Sequence, residues 1–164
     1  MFSDILSILT EIDNLHHIVL SLVISTIANN GQLHTSYAPY LNEGGYYYIP
    51  ASQITPYYQY LQTDTTIGLM IIEDEQQAKN ICSRTRLCCQ ALAEIVPPSS
   101  AEFIYVVNEL KQRIGNMMDL FIALNNFKLI RMRPQTGNLM LGLTKIYELY
   151  CQEVNNNLPL LQIV

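Results

Sequence analysis

Short apolar runs alternate with polar punctuation along the chain, and the spacing predicts a mainly β domain with a few helices. Ser3 opens a segment in which Ile5, Ile8, Leu9 and Ile12 recur at helical intervals, which predicts a short amphipathic helix over 3–12. His17 to Ala28 is rich in Ile, Val, Leu, Ser and Thr and predicts a strand. Asn29-Asn30-Gly31-Gln32 then supplies a turn, because Asn30 and Gly31 tolerate positive φ. Leu33 to Leu41 is the expected return strand, Asn42-Glu43-Gly44-Gly45 a second turn, and Tyr46 to Ile49 a third strand. Ala51 to Thr63 carries Pro56 at a first-turn position and predicts a short helix through Tyr57, Tyr58, Tyr60 and Leu61. Thr65 to Ile72 is almost wholly apolar, as a strand buried on both faces would be.

The second half begins with the acidic triplet Glu73-Asp74-Glu75. Asp74 is a good N-cap with Gln77 at the capping-box position, and Glu75 and Lys79 stand four apart, so a short helical turn is expected. Arg84 to Val96 predicts a long strand on which Arg84 and Arg86 share a side, ended by Pro97-Pro98. Ser99, with Glu102 as its box partner, predicts a helix whose stripe Phe103, Val107, Leu110, Ile114 and Met117 runs to about Leu120. Phe127 to Arg133 and Leu139 to Leu143 predict a hairpin about Pro134-Gln135-Thr136-Gly137-Asn138, followed by a last strand over 145–151. Asn155-Asn156-Asn157 breaks the chain before an apolar tail over 158–164. No repeat, low-complexity tract or linker interrupts the sequence. One domain over 1–164 is expected, with the strands over about 15–150 forming a small closed or split β-barrel capped by helices, an α+β arrangement. A ferredoxin-like sandwich is the alternative.

Composition sharpens this picture. Charged residues are only 14% against 49% hydrophobic, so much apolar surface must be hidden, and a homodimer burying the tyrosine-rich meander Tyr37 to Tyr48 is expected. The net charge of −5 argues against nucleic-acid binding. No apolar run is long enough to span a membrane, and Asp4 and Glu11 replace a basic leader, so a soluble cytoplasmic protein is expected. Cys82, Cys88, Cys89 and Cys151 form no CxxC, and His16, His17 and His34 have no matching ligand spacing; no metal site is expected, and the thiols read as free. No nucleophilic triad or glycine-rich phosphate loop is present.

Four pieces then carry a resemblance. They are Gly31…His34-Thr35-Ser36-Tyr37-Ala38-Pro39-Tyr40, Tyr47-Tyr48-Ile49…Ser52, Leu69-Met70-Ile71-Ile72-Glu73-Asp74-Glu75, and Ser83-Arg84-Thr85-Arg86-Leu87. In this order they resemble the haem-utilisation (HugZ/HutZ) family of pyridoxamine-phosphate-oxidase-like split barrels. The segment Phe127-Lys128-Leu129…Pro134…Gly137…Gly142 resembles the family's closing hairpin. The resemblance implies a split-barrel homodimer with a ligand site at the subunit interface, holding flavin mononucleotide (FMN) or haem. It implies that Arg84 and Arg86 take the phosphate or propionates, with His34, Ser36 and Tyr37 nearby. The sequence also departs from the pattern. The segment Thr55 to Leu61 has no basic residue, Asn126 stands where an acidic residue is expected, and 155–164 has no histidine.

Three functions compete on these readings: a haem-handling protein, either carrier or degrading enzyme; an FMN-dependent oxidoreductase; and a non-catalytic dimeric module. Each candidate also has a purely structural role open to it. Arg84 and Arg86 can pair with Glu73 or Glu75, Arg131 and Arg133 read as solvated surface, and His34 as a hydrogen-bonded strand histidine. His16 and His17 can cap the first helix.

Overall fold

The computed structural model describes residues 2–62, 65–124, 126–153 and 159–163. Among these residues nine strands form one antiparallel sheet: β1 (Ser21–Ile27), β2 (Leu33–Pro39), β3 (Leu41–Glu43), β4 (Tyr46–Ala51), β5 (Thr65–Ile72), β6 (Arg86–Val96), β7 (Lys128–Leu141), β8 (Lys145–Glu153) and β9 (Pro159–Ile163). The helices are α1 (Phe2–Ile18), α2 (Ala101–Ile114) and α3 (Met117–Ala123). The order is β2-β1-β5-β6-β7-β4-β3. Strand β7 is the seam. One edge pairs with β6 along its length, while the other takes β4 at residues 128–132 and β8 at 136–141. Two strands sharing one edge, end to end, split the barrel wall.

Alternation fills the inside. Leu22, Ile24, Ile67, Leu69, Ile71, Leu87, Cys89, Ala91, Ile130, Met132 and Leu139 are all buried, and they share one cluster with Ile8, Ile12 and Leu15 of α1. Helix α1 runs past Ile12 because Leu15 continues the same stripe for another turn. A second cluster lies where α2 and α3 cover Leu41, Tyr48, Val96 and Leu129, through Val106, Leu110 and Met118.

Several expected elements differ. The turn placed at 134–138 is interior strand. The ladder shifts between Gln90 and Ala91, so that Gln90 faces Thr136 while Ala91 faces Pro134, leaving Gln135 as the extra residue of a bulge. A bulge accommodates a proline that has no ladder N–H to donate. The true turn lies at Gly142, whose φ of 70° suits glycine. The single helix to Leu120 is interrupted at Gly115 (φ 71°). Its cap is Ser100, which accepts from the Phe103 N–H at 3.1 Å; Ser99 does not cap it.

The helical turn expected at Asp74 is present as a single turn: the Gln77 and Ala78 N–H groups donate to the Asp74 carbonyl at 3.1 Å and the Gln76 N–H to its Oδ1 at 2.8 Å, and no longer helix follows from it. Among the described residues after β4, 52–62, the expected helix is only a 3-10 turn, Tyr58–Tyr60. Of the meander tyrosines, Tyr40, Tyr47 and Tyr48 are buried within the protomer, Tyr46 is half-buried and Tyr37 is 72% exposed. The expected breaker Asn155 to Asn157 lies outside the described residues.

Candidate functional site

Residues directly opposite in an antiparallel ladder share a face. Register therefore defines three rows across the outer face of the sheet. One runs Tyr37, Val23, Met70, Cys88, Asn138, Glu148 from β2 to β8. The next runs Thr35, Ser25, Gly68, Gln90, Thr136, Tyr150. The third holds Ile72, Arg86, Met140 and Ile146. Between them lies a groove of about 660 Å³ whose walls include Met70, Cys88, Asn138, Met140 and Tyr150. That volume lies within the usual range for small-molecule sites. Ser25 and Gly68 keep its floor low: a Cβ added at Gly68 would meet only Ser25 Cβ, at 3.7 Å. Asn138 Oδ1 is buried there without a hydrogen-bond partner.

The structure divides the expected site residues. Tyr37 and Arg86 belong to the grooved face. His34 and Ser36 point the other way, since they face Thr26 and Ile24, which are buried. The His34 ring stacks on Tyr60 at 4.8 Å, and its Nδ1 is buried without a partner, so it is not the hydrogen-bonded strand histidine expected. Arg84 precedes the strand and closes the β5–β6 connection. Its Nε donates to the Glu73 carbonyl at 2.7 Å and its Nη1 to Glu75 Oε1 at 3.1 Å. Glu75 thus takes the ion pair with Arg84 that the sequence left open as the structural role of this arginine. Arg86 donates to the Arg84 carbonyl at 3.4 Å, alongside the groove.

Two polar clusters went unnoticed in the sequence. Arg131, expected on solvated surface, is a hub: it lies 2.6 Å from Glu94 and 3.0 Å from Glu102, with its guanidinium over the Tyr46 ring. Glu102 also accepts from Tyr48 Oη at 2.8 Å, which ties α2 to the sheet in place of the capping box. Near the end of α1, His16 Nε2 lies 2.9 Å from Tyr47 Oη, and Arg113 donates to the carbonyls of His16 and Val19 at 2.5 and 3.0 Å. Burial, and then the Arg113 charge, lower the His16 pKa to about 4. Among the described residues no group of three or more His, Cys, Asp and Glu could hold a metal ion. No helix among them is long and apolar enough to cross a membrane.

The groove itself could have been found in part, because Arg86, Cys88 and Gln90 alternate along β6. Its far wall could not, since Thr136 and Asn138 lie in Pro134-Gln135-Thr136-Gly137-Asn138, whose composition is that of a turn.

This architecture is a split barrel of the kind that binds flavin or haem in other proteins. The FAD-binding protein from Mycobacterium smegmatis has the same fold, with a TM-score of 0.52 at 11% identity over 79% of this chain and 90% of that one. No protein-family model matches the chain. It is 29% identical over 128 residues, 78% of its length, to haem oxygenase HutZ of Vibrio cholerae, and spans 73% of that relative. The crystal structure of HutZ, described as a haem storage protein, superposes with a TM-score of 0.72 at 28% identity, covering 81% of this chain and 93% of HutZ. Campylobacter jejuni ChuZ superposes at 0.76 with 20% identity over 93% of this chain, which spans 61% of ChuZ. The chain is thus similar in sequence and fold to HutZ, and in fold to ChuZ.

Proposed function

We propose that this protein binds haem in the groove on the outer sheet face and works as a haem-handling split barrel. The observation that carries the reading is the groove itself, on a chain 28–29% identical to a protein described both as a haem oxygenase and as a haem storage protein. A porphyrin is flat and apolar with two carboxylates. The groove offers a low floor at Ser25 and Gly68, apolar walls, and Arg86 beside it for a propionate. A second copy of the chain closes this open face and completes the pocket; Tyr37, exposed on the same face, is part of that contact, and the buried meander tyrosines are not.

The protein binds and positions haem by these groups. Whether it also turns haem over is a matter of electron supply that its own side chains do not provide. FMN is the second ligand of the right shape and charge, because Arg86 would suit its phosphate equally. The test is a titration of the purified protein with haemin and, separately, FMN, followed by absorbance. A saturable Soret shift with no response to FMN is expected. An unchanged Soret band would overturn the haem reading, and saturable FMN binding in its place would select the flavin reading. Failure of both would leave a non-catalytic module.

A further inference from the structure

We infer that the last turn of α1 is an acid-released latch: protonation of His16 undocks the helix from the barrel while the sheet stays folded. The latch works whatever the groove binds.

Helix α1 takes no part in the strand ladders. It docks through one apolar stripe, Ile8, Ile12 and Leu15, all buried in the inner core cluster. Its chain reaches β1 through residues 19 and 20 alone. The polar ties gather at its last turn. His16 Nε2 lies 2.9 Å from Tyr47 Oη on β4, and the ring stands edge-on to Tyr47 and Tyr40, with centroids 5.4 and 6.2 Å away. Arg113 of α2 donates to the His16 and Val19 carbonyls, which satisfies carbonyl groups that the end of a helix leaves open. The Arg113 guanidinium also lies 5.1 Å from the centre of the Tyr40 ring. One turn therefore joins α1, α2 and β4.

A neutral imidazole suits this place and an imidazolium does not. The ring is partly buried, and it faces two phenols and a guanidinium. Among the described residues Arg113 is the charge that acts on it, and no carboxylate offsets that charge. Asp13 and His17, its titratable neighbours on α1, are exposed. A proton on His16 must therefore lose water and meet a cation that holds the same turn. Moving the turn into solvent relieves both. A terminal helix without ladder hydrogen bonds can leave while the strands stay paired. The ring's pKa of about 4 when docked, against 6.5 in water, agrees in sign: docking is favoured above pH 6.5 and lost as pH falls towards 4. On these two values the undocking equilibrium constant at pH 5 is about 20 times that at pH 7. Undocking also frees Ile18, Val19 and Leu20. These residues help to wall a recess of about 220 Å³ that shares Val23 and Met70 with the groove. Acid thus loosens the β1–β5 end of the groove.

The test is hydrogen–deuterium exchange of the full chain, read by mass spectrometry at pH 7 and pH 5 and corrected for the intrinsic rate at each pH. Amides of residues 12–18 are expected to be less protected than those of β6 and β7 at both values. Their protection should fall about 20-fold from pH 7 to pH 5 in the wild type and stay level in His16→Gln. The β6 and β7 amides should remain protected at pH 5. Equal exchange in α1 and in β6 and β7 shows the helix leaving only with the whole fold, and overturns the latch. Protection of α1 that stays level in the wild type, or that falls as steeply in His16→Gln, also overturns it. Should His16→Gln not fold, the His16 ring resonances of the wild type, followed by NMR from pH 7 to pH 4, decide. A ring that protonates near pH 6.5 with α1 protection unchanged overturns the proposal. A ring that stays neutral until α1 opens upholds it.

Discussion

Gly137 and Cys88 touch across the β6–β7 ladder so closely that a Cβ on Gly137 would stand 2.6 Å from the Cys88 carbonyl oxygen and 2.8 Å from Cys89 Sγ. The first obstacle is backbone, which cannot swing aside. Gly137→Ala must therefore part the two strands just beyond the bulge that bends β7. We expect a loss of about 1–3 kcal/mol in urea unfolding, the range for forced overpacking. Gly68→Ala, which meets only ordinary van der Waals contact, should cost far less. Equal losses in the two variants would show that the ladder yields at Gly137.

Arg131 holds Glu94 and Glu102 together, and all three are less than a third exposed. Removing the cation leaves two carboxylates facing each other beneath α2, with Tyr48 still donating to Glu102. Arg131→Ala should destabilise by about 2 kcal/mol, below the 3–5 of a fully buried pair because water still reaches the site. Glu102→Gln, which keeps its hydrogen-bonding shape, should cost clearly less. Chemical denaturation of both variants checks the order, and no loss in Arg131→Ala would reduce the hub to surface decoration.

The length of β5 was legible because an apolar run from Thr65 meets Glu73 immediately after Ile72, so composition changes where the strand ends. The end of α1 was hidden by His16 and His17, whose polarity masks the continuing stripe at Leu15. The segment Pro134 to Asn138 has the residues of a turn, yet the same residues serve a bulge and a close strand contact. Local chemistry cannot choose between these, because the choice depends on β6 lying alongside. The site had the same limit. Alternation places Arg86, Cys88 and Gln90 on one face, but which residues of β1, β5, β7 and β8 join them is a matter of register. Likewise, Ser36 and Tyr37 are neighbours in the sequence and therefore face opposite sides of β2.

The His16 ring supplies a pH dependence. Its pKa of about 4 in the folded protein lies below the unfolded value near 6.5, first through burial and then through Arg113. Between these values the unfolded chain binds a proton that the native protein does not. This contribution to stability is therefore complete above pH 6.5 and is lost as pH falls towards 4. Unfolding free energy should drop by about 1–2 kcal/mol between pH 7 and pH 5, before most carboxylates titrate. His16→Gln, which can still bond Tyr47, should flatten this slope. A wild-type profile that is level over the interval would mean that the native ring takes up its proton freely.

The last prediction separates the two arginines that the sequence presented as a pair. Arg84 is bound into the β5–β6 connection through the Glu73 carbonyl and Glu75, with its side chain 19% exposed. Arg86 stands on the grooved face, opposite Ile72 and Met140. Their replacements should fail differently. Arg84→Gln breaks a charge-assisted bond to a carbonyl and an ion pair with an exposed glutamate. It should lower stability by about 1 kcal/mol, most of it from the carbonyl bond. Arg86→Gln leaves the connection intact and removes a cation of the grooved face. It should weaken binding of haem, or of FMN if that is the ligand, by roughly tenfold, equivalent to about 1.4 kcal/mol. Thermal melts and ligand titrations on both variants, at the same ionic strength, give the comparison. A double dissociation, with stability moved by Arg84 and affinity by Arg86, supports the groove as the anion site. If Arg84→Gln weakens the ligand more than Arg86→Gln while melting like the wild type, the anion is held at the β5–β6 connection instead.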